Sequence, residues 1–290
     1  MESANPLKAA VWMMGAVASF AAMAVAGRAI QVEMNTFELM LYRSAIGWVL
    51  VVLVVALGAR GFGQLRTAHP WLHVKRNLFH YTGQNLWFFA VALIPLGQLA
   101  ALEFTNPIWV ALLAPVLLAE PLTRTRVLAA VLGFIGVVVV AEPGSAPLGI
   151  GHAAALTAAV CFALNTIYTR QIMRFDSVLC VLFWMTLSQS VMSLFLSLPG
   201  GIPAPSAATA PWLVVLGLTG LTAHYALTSA LGHAPASIVA PMEYIRLPVM
   251  AVLGVWLYAE PLHATVFVGA ALIIGGNLIN LRAETRRAPA

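Results

Sequence analysis

Long apolar runs, separated by short polar stretches, dominate the chain. A helix that crosses a bilayer needs about 20 mostly apolar residues. The runs predict ten such spans, at residues 9–30, 37–58, 72–94, 97–119, 126–141, 149–169, 177–198, 211–230, 237–258 and 264–281. Stretches such as 48–57 and 127–140 lack the two-residue alternation of a membrane β-barrel. The first run has some marks of a cleaved leader, namely Lys8, an apolar stretch and Ala24-Val25-Ala26. It is long for a leader and has a counterpart at span 6, so it is read as a span. The expected class is an all-α polytopic membrane protein of ten transmembrane helices.

Composition agrees. Of 290 residues, 61% are hydrophobic and 9% charged, and the mean hydropathy is +0.91. A soluble domain is about a quarter charged, so an ordinary soluble enzyme is excluded, as is a disordered chain. The net charge of +5 comes from scattered residues that flank the apolar runs, the arrangement of cytoplasmic loops and not of a nucleic-acid surface. With the amino terminus inside, twelve of the fifteen basic residues lie on cytoplasmic flanks: Lys8, Arg60, Arg66, Lys75, Arg76, Arg124, Arg126, Arg170, Arg174, Arg282, Arg286 and Arg287. Both termini are then cytoplasmic. Cys161 and Cys180 sit inside apolar runs and form neither a disulfide framework nor a metal site. There is no phosphate-binding loop and no nucleophile elbow. No cofactor, metal or enzymatic activity is expected; an intramembrane lipid-modifying enzyme would need a catalytic constellation that the spacing does not supply.

The two halves resemble each other. Ala119-Glu120-Pro121-Leu122 recurs as Ala259-Glu260-Pro261-Leu262, an offset of 140, and residues 90–140 share fifteen identities in 51 pairs with their counterparts. Glu103 meets Glu243, Pro95 meets Pro235 and Gly136 meets Gly276. At an offset of 142, Phe20-Ala21 meets Phe162-Ala163 and Arg28 meets Arg170; His80-Tyr81 recurs as His224-Tyr225 at 144. Repeats of five spans each, residues 1–144 and 145–290, must lie inverted in the membrane, because five is odd. Inverted repeats are the architecture of secondary transporters.

On these residues the chain resembles a known family. Phe37 to Arg43, Ala92-Leu93-Ile94-Pro95, Glu103 to Pro107, Leu118 to Leu122 and Gly133-Phe134-Ile135-Gly136-Val137, repeated in part later, resemble the EamA-like branch of the drug/metabolite transporter superfamily over nearly the whole chain. The aromatic-rich third span, Phe79-His80-Tyr81 through Trp87-Phe88-Phe89, most resembles the YddG-type aromatic amino-acid exporters. The resemblance implies a basket-like bundle around a cavity lined by spans 1, 3, 4, 6, 8 and 9, in a bacterial inner membrane. It also implies export of amino acids, aromatic and other neutral ones first, or related small metabolites. Cationic drugs are the alternative cargo. Family members often carry Gly-Glu where this chain has Ala-Glu twice.

Ionisable residues inside a membrane are costly and point to function. Glu103 and Glu243 lead the candidates, either to hold a cargo ammonium group or to carry a proton. The alternative is a bond to backbone freed by Pro107 or Pro241. Arg246, three residues after Glu243, shares its helix face and is expected either to pair with it or to attract a cargo carboxylate. His80 and His224 are candidate proton relays or interhelical donors. Asn77, Tyr81, Gln84 and Asn85 form one polar face of span 3, with His80 at its edge, and predict a cavity wall. Trp12, Phe20, Tyr81, Phe104, Tyr168, Tyr225 and Tyr244 are candidates for cargo contact by stacking or cation–π attraction, and Asn165, three residues before Tyr168 on span 6, is expected to face the cavity beside it. Trp71, Trp212 and Tyr258 are expected in the interfacial belt. Pro107, Pro115, Pro241 and Pro248 are candidate hinges or gates. Small-residue spacing at Ala129/Gly133 and Ala271/Gly275 predicts close helix packing. The expected partners are a small-molecule substrate and the lipid bilayer, with no nucleic acid, and the expected state is a monomer.

Overall fold

The computed structural model describes residues 5–58, 61–117, 123–141, 149–234, 239 and 242–285. Its regular structure among these is helical: α1 (Pro6–Ile30), α2 (Thr36–Leu57), α3 (Pro70–Leu93), α4 (Leu96–Glu103), α5 (Asn106–Leu117), α6 (Arg124–Ala141), α7 (Ile150–Ile172), α8 (Val178–Ser197), α9 (Ala210–His233), α10 (Arg246–Tyr258) and α11 (Ala264–Thr285). Helices fall at each predicted span, and the fourth is divided between α4 and α5. Among the described residues, seven stretches are long and apolar enough to cross a membrane, corresponding to spans 1, 2, 4, 6, 7, 8 and 10.

Local chemistry sets the helix ends. Asn35 and Glu38 close a capping box at the start of α2, and the Asn5 side chain accepts from Lys8 N at the start of α1, 3.0 Å away. The division of span 4 follows from Pro107, which offers no N–H to the Glu103 carbonyl and crowds it. The carbonyls beside the break are bonded instead by Thr105 Oγ1, to Leu102 at 2.7 Å, and by Asn277 Nδ2, to Phe104 at 2.9 Å. In the second half, turn residues Tyr244 and Ile245 separate Met242-Glu243 from α10, 140 residues after Phe104 and Thr105, with Pro248 in the first turn of α10. The prolines thus shape bonded breaks at two equivalent positions. Pro115 lies inside α5 without interrupting it, and Pro241 lies outside the described residues.

Four long pairings build the bundle: α1 with α9, α3 with α7, α2 with α8 and α6 with α11, while α4 packs on α10. The α6–α11 seam is closed by glycine. A Cβ on Gly136 would stand 2.6 Å from the Gly269 carbonyl, and one on Gly276 would stand 2.8 Å from that of Ala129. The register differs from the expected one, since Gly275 faces open space and Gly133 receives the Ile108 side chain. Large apolar side chains such as Leu53, Val138, Val252 and Val268 point outwards, forming a surface suited to lipid. Trp71 and Trp212 are exposed near helix starts. Tyr258, the last residue of α10, is half-buried and lies under Arg28, whose guanidinium is 4.4 Å from its ring centroid.

Candidate functional site

A cavity of about 270 Å³ lies in the middle of the bundle, lined by residues of spans 1, 3, 4, 6, 8 and 9. Both helix breaks open onto it. Glu103 ends α4 and Arg246 begins α10. Arg246 Nη2 donates to Glu103 Oε1 at 2.8 Å and lies 3.6 Å from Glu243 Oε1. Its guanidinium sits 4.8 Å from the Phe20 ring centroid and 5.0 Å from that of Phe104, a cation–π arrangement. Trp87 Nε1 donates to the other Glu103 oxygen at 2.8 Å. A buried charge needs such partners, because desolvation otherwise disfavours it.

His80 and His224 meet across the cavity with ring centroids 6.0 Å apart. Behind His80, Gln189 Nε2 on α8 approaches its Nδ1 at 3.0 Å. With its amide turned so that the oxygen faces Arg43, Gln84 accepts from both terminal guanidinium nitrogens at 3.0 and 3.2 Å and donates to Gln189. Arg43, Gln84, Gln189 and His80 therefore form one polar chain across α2, α3 and α8.

At one end of the bundle a second arginine ties four segments together. Arg28 donates from Nε to the Val91 carbonyl at 2.7 Å, from Nη2 to that of Ile94 at 2.8 Å, and from Nη1 to Glu260. Glu260 also accepts from Leu96 N at 2.8 Å. Gly254 makes room for this, since a Cβ there would collide with the Glu260 carboxylate. Ala259, just before it, takes φ 51°, the left-handed region that favours glycine.

Of the expected site residues, Phe20, His80, Gln84, Glu103, Phe104, Pro107, Asn165, His224, Glu243, Tyr244 and Arg246 line the cavity. The others among the described residues lie off it. Asn77 is buried against α8, where it donates to the Trp184 carbonyl at 3.0 Å, and Tyr81 accepts from Ser193 Oγ at 2.9 Å. Asn85 donates to the Tyr81 carbonyl at 2.9 Å. Most of the polar face of span 3 thus fastens α3 onto α8 and only its edge reaches the cavity. Trp12 and Tyr225 pack edge to face at 5.6 Å, with Tyr225 exposed. Tyr168 stacks on Phe79 at 5.8 Å. Pro115 and Pro248 also lie off the cavity lining, and Pro248 is exposed. The sequence reading passed over Trp87, Asn106, Phe162 and Thr166, which line the cavity. Two of these were within reach of the repeat, since Phe162 is the counterpart of Phe20 and Asn106 that of Arg246.

The model of the EamA-like transporter family matches the chain twice, over residues 7–141 and 149–282. The chain belongs to that family. It is a multi-pass membrane transporter of the drug/metabolite type, and its membership fits a protein that is not an enzyme. Among curated relatives, a riboflavin transporter of Brucella anthropi is 31% identical over 242 residues, covering 81% of this chain and 85% of its own length. A riboflavin transporter of Vibrio cholerae is 28% identical over 278 residues, 93% and 91% of the two chains. An S-adenosylmethionine uptake transporter of Rickettsia felis is 24% identical over 275 residues, 95% and 92%. A crystal structure 21% identical in sequence superposes with a TM-score of 0.65 and covers 97% of this chain and 99% of that one, showing a common fold. These EamA relatives are named for riboflavin and S-adenosylmethionine. The resemblance to aromatic amino-acid exporters drawn from span 3 finds no support among them.

Proposed function

We propose that the protein is a secondary transporter for a planar heteroaromatic metabolite, with riboflavin as the first cargo to test. The observation that carries this reading is the central cavity, where aromatic side chains surround a glutamate–arginine–glutamate group at two helix breaks. Riboflavin and S-adenosylmethionine, the compounds for which the relatives are named, share a nitrogen heterocycle that such rings can stack on.

We assign an inverted repeat of residues 1–144 and 145–290. Exchanging span 1 with 6, 2 with 7, 3 with 8, 4 with 9 and 5 with 10 turns the α1–α9 pair into the α7–α3 pair. The same exchange carries the α2–α8, α4–α10 and α6–α11 pairs onto themselves. The meeting of His80 with His224 fits an axis through the cavity. With both termini in the cytoplasm of a bacterial inner membrane, the Arg28–Glu260 tie faces outwards and the chain is closed on that side. Alternating access then requires this tie to open as its inner counterpart closes.

Aromatic amino-acid export is a second reading, favoured by one observation: adjacent Glu243 and Arg246 suit the opposite charges of an amino-acid zwitterion. Uptake of labelled riboflavin, tryptophan and phenylalanine into proteoliposomes, beside empty liposomes, separates the two. Saturable riboflavin flux that excess unlabelled riboflavin suppresses is the expected result. Tryptophan flux without riboflavin flux gives the second reading instead.

A further inference from the structure

The cavity glutamates occupy equivalent positions of the two repeats but are bonded differently. Glu103 has both oxygens engaged, one by Trp87 Nε1 and one by Arg246 Nη2, each at 2.8 Å. Glu243 accepts no hydrogen bond among the described residues. Arg246 Nη2 stands 3.6 Å away, beyond hydrogen-bond reach. The Glu243 side chain is also more open, 31% exposed against 17% for Glu103. Two further groups of the same lining lack partners: Asn165 Oδ1, an acceptor, and Arg246 Nε, a donor. Buried polar atoms without partners are costly, and a ligand that supplies the missing partners recovers that cost.

We infer that Glu243, not its repeat counterpart Glu103, is the specificity-determining carboxylate, and that it accepts N–H donors from the edge of a planar cargo ring. Glu103 is a positioning residue that holds Arg246 and Trp87 in place. The asymmetry arises at one pair of repeat positions, where the first half has Asn106 and the second half has Arg246. A single guanidinium serves two carboxylates and is spent on the one across the cavity. Beside Glu243, Arg246 Nε is a buried donor without a partner, and a ring carbonyl that reached it would supply one. Glu243 and Arg246 together thus match the alternating carbonyl and N–H groups of an imide edge. This inference rests on the heteroaromatic cargo proposed above, and the test separates the two.

The purified transporter is first treated with dicyclohexylcarbodiimide, which adds to accessible carboxyl groups in apolar surroundings, and the labelled peptide is identified by mass spectrometry. Labelling at Glu243 with protection of Glu103 is expected whatever the cargo; the reverse overturns the inference. Binding of riboflavin and of N3-methylriboflavin is then followed by flavin fluorescence. The wild type is expected to prefer riboflavin by roughly tenfold or more, the range of a hydrogen bond to a charged acceptor. Glu243→Gln abolishes that preference, and Glu103→Gln keeps it while lowering thermal stability. A preference lost in Glu103→Gln and kept in Glu243→Gln overturns the assignment. If the wild type binds neither flavin, the riboflavin reading fails. The same comparison with adenosine and N6,N6-dimethyladenosine then decides the inference, and equal binding or no binding of that pair overturns it.

Discussion

Arg28 and Arg246 are built from the same parts. Each faces a glutamate and each lies against an aromatic ring, Tyr258 for one and Phe20 with Phe104 for the other. They differ in what is left over. Arg28 places Nε, Nη1 and Nη2 on acceptors of its own chain, whereas Arg246 Nε is buried without one. A guanidinium carries five N–H donors in a fixed fork. Where the fork ends on the protein it is a fastener, and where one of its donors is left without a partner in a cavity lining a ligand can complete it.

The comparison breaks most sharply at Arg28. Arg28→Ala strands Glu260 and two carbonyls, and the loss of one partner from such a pair should cost about 3 kcal/mol. A fall in the thermal unfolding midpoint in detergent checks this; an unchanged midpoint would remove Arg28 from the role of fastener. Arg246→Lys should behave differently, because lysine keeps the charge but loses the fork and the ring contacts. We expect it to lower stability by less than Arg28→Ala does, since the charge beside Glu103 is kept, while riboflavin affinity weakens roughly tenfold, measured on the same preparation by unfolding and fluorescence titration.

A third test lies outside the spans. Glu33, in the α1–α2 turn, accepts from Ser206 N and Oγ at 2.9 Å each and from Thr209 Oγ1. These bonds, those from Thr209 first, hold its carboxyl below the usual carboxylate range. A depressed folded pKa gives stability that is present above the unfolded pKa and lost as pH falls through the folded one. Wild type should therefore be more stable than Glu33→Gln at neutral pH, and the gap should close in acid. The smallest effect is expected at Ala259. Relief of its left-handed backbone by Ala259→Gly should raise stability by up to about 1 kcal/mol, visible as a small upward shift in the unfolding midpoint.

Much of this was legible in the sequence. Apolar runs located the spans, because a bilayer requires a fixed length of apolar helix. The offset of 140 paired Glu103 with Glu243, and both line the cavity. The polar face of span 3 was legible as facing away from lipid, but periodicity in one helix does not say which neighbour it meets. Here α8 brings Trp184, Gln189 and Ser193 to that face, so Asn77 and Tyr81 are spent on packing. Trp87 was invisible for the converse reason: an aromatic residue in an apolar run has the same pattern whether it meets lipid, core or cavity. The contact of Tyr258 with Arg28 was not legible, because the arginine above it lies 230 residues earlier in the chain.

Two of the three acceptors that receive Arg28 are backbone carbonyls, those of Val91 and Ile94. Ile94 is extended, φ −127° and ψ 157°, as the residue before a proline must be, so Pro95 helps to aim its carbonyl. Substitutions at 91 and 94 that still fill the core leave the acceptors unchanged. A mutational scan should therefore tolerate apolar exchanges at these two positions and penalise changes at 28, 95 and 260. Covariation between aligned sequences would recover the pairing of 28 with 260 and miss the other two bonds, since those partners have no side chain in the contact to vary.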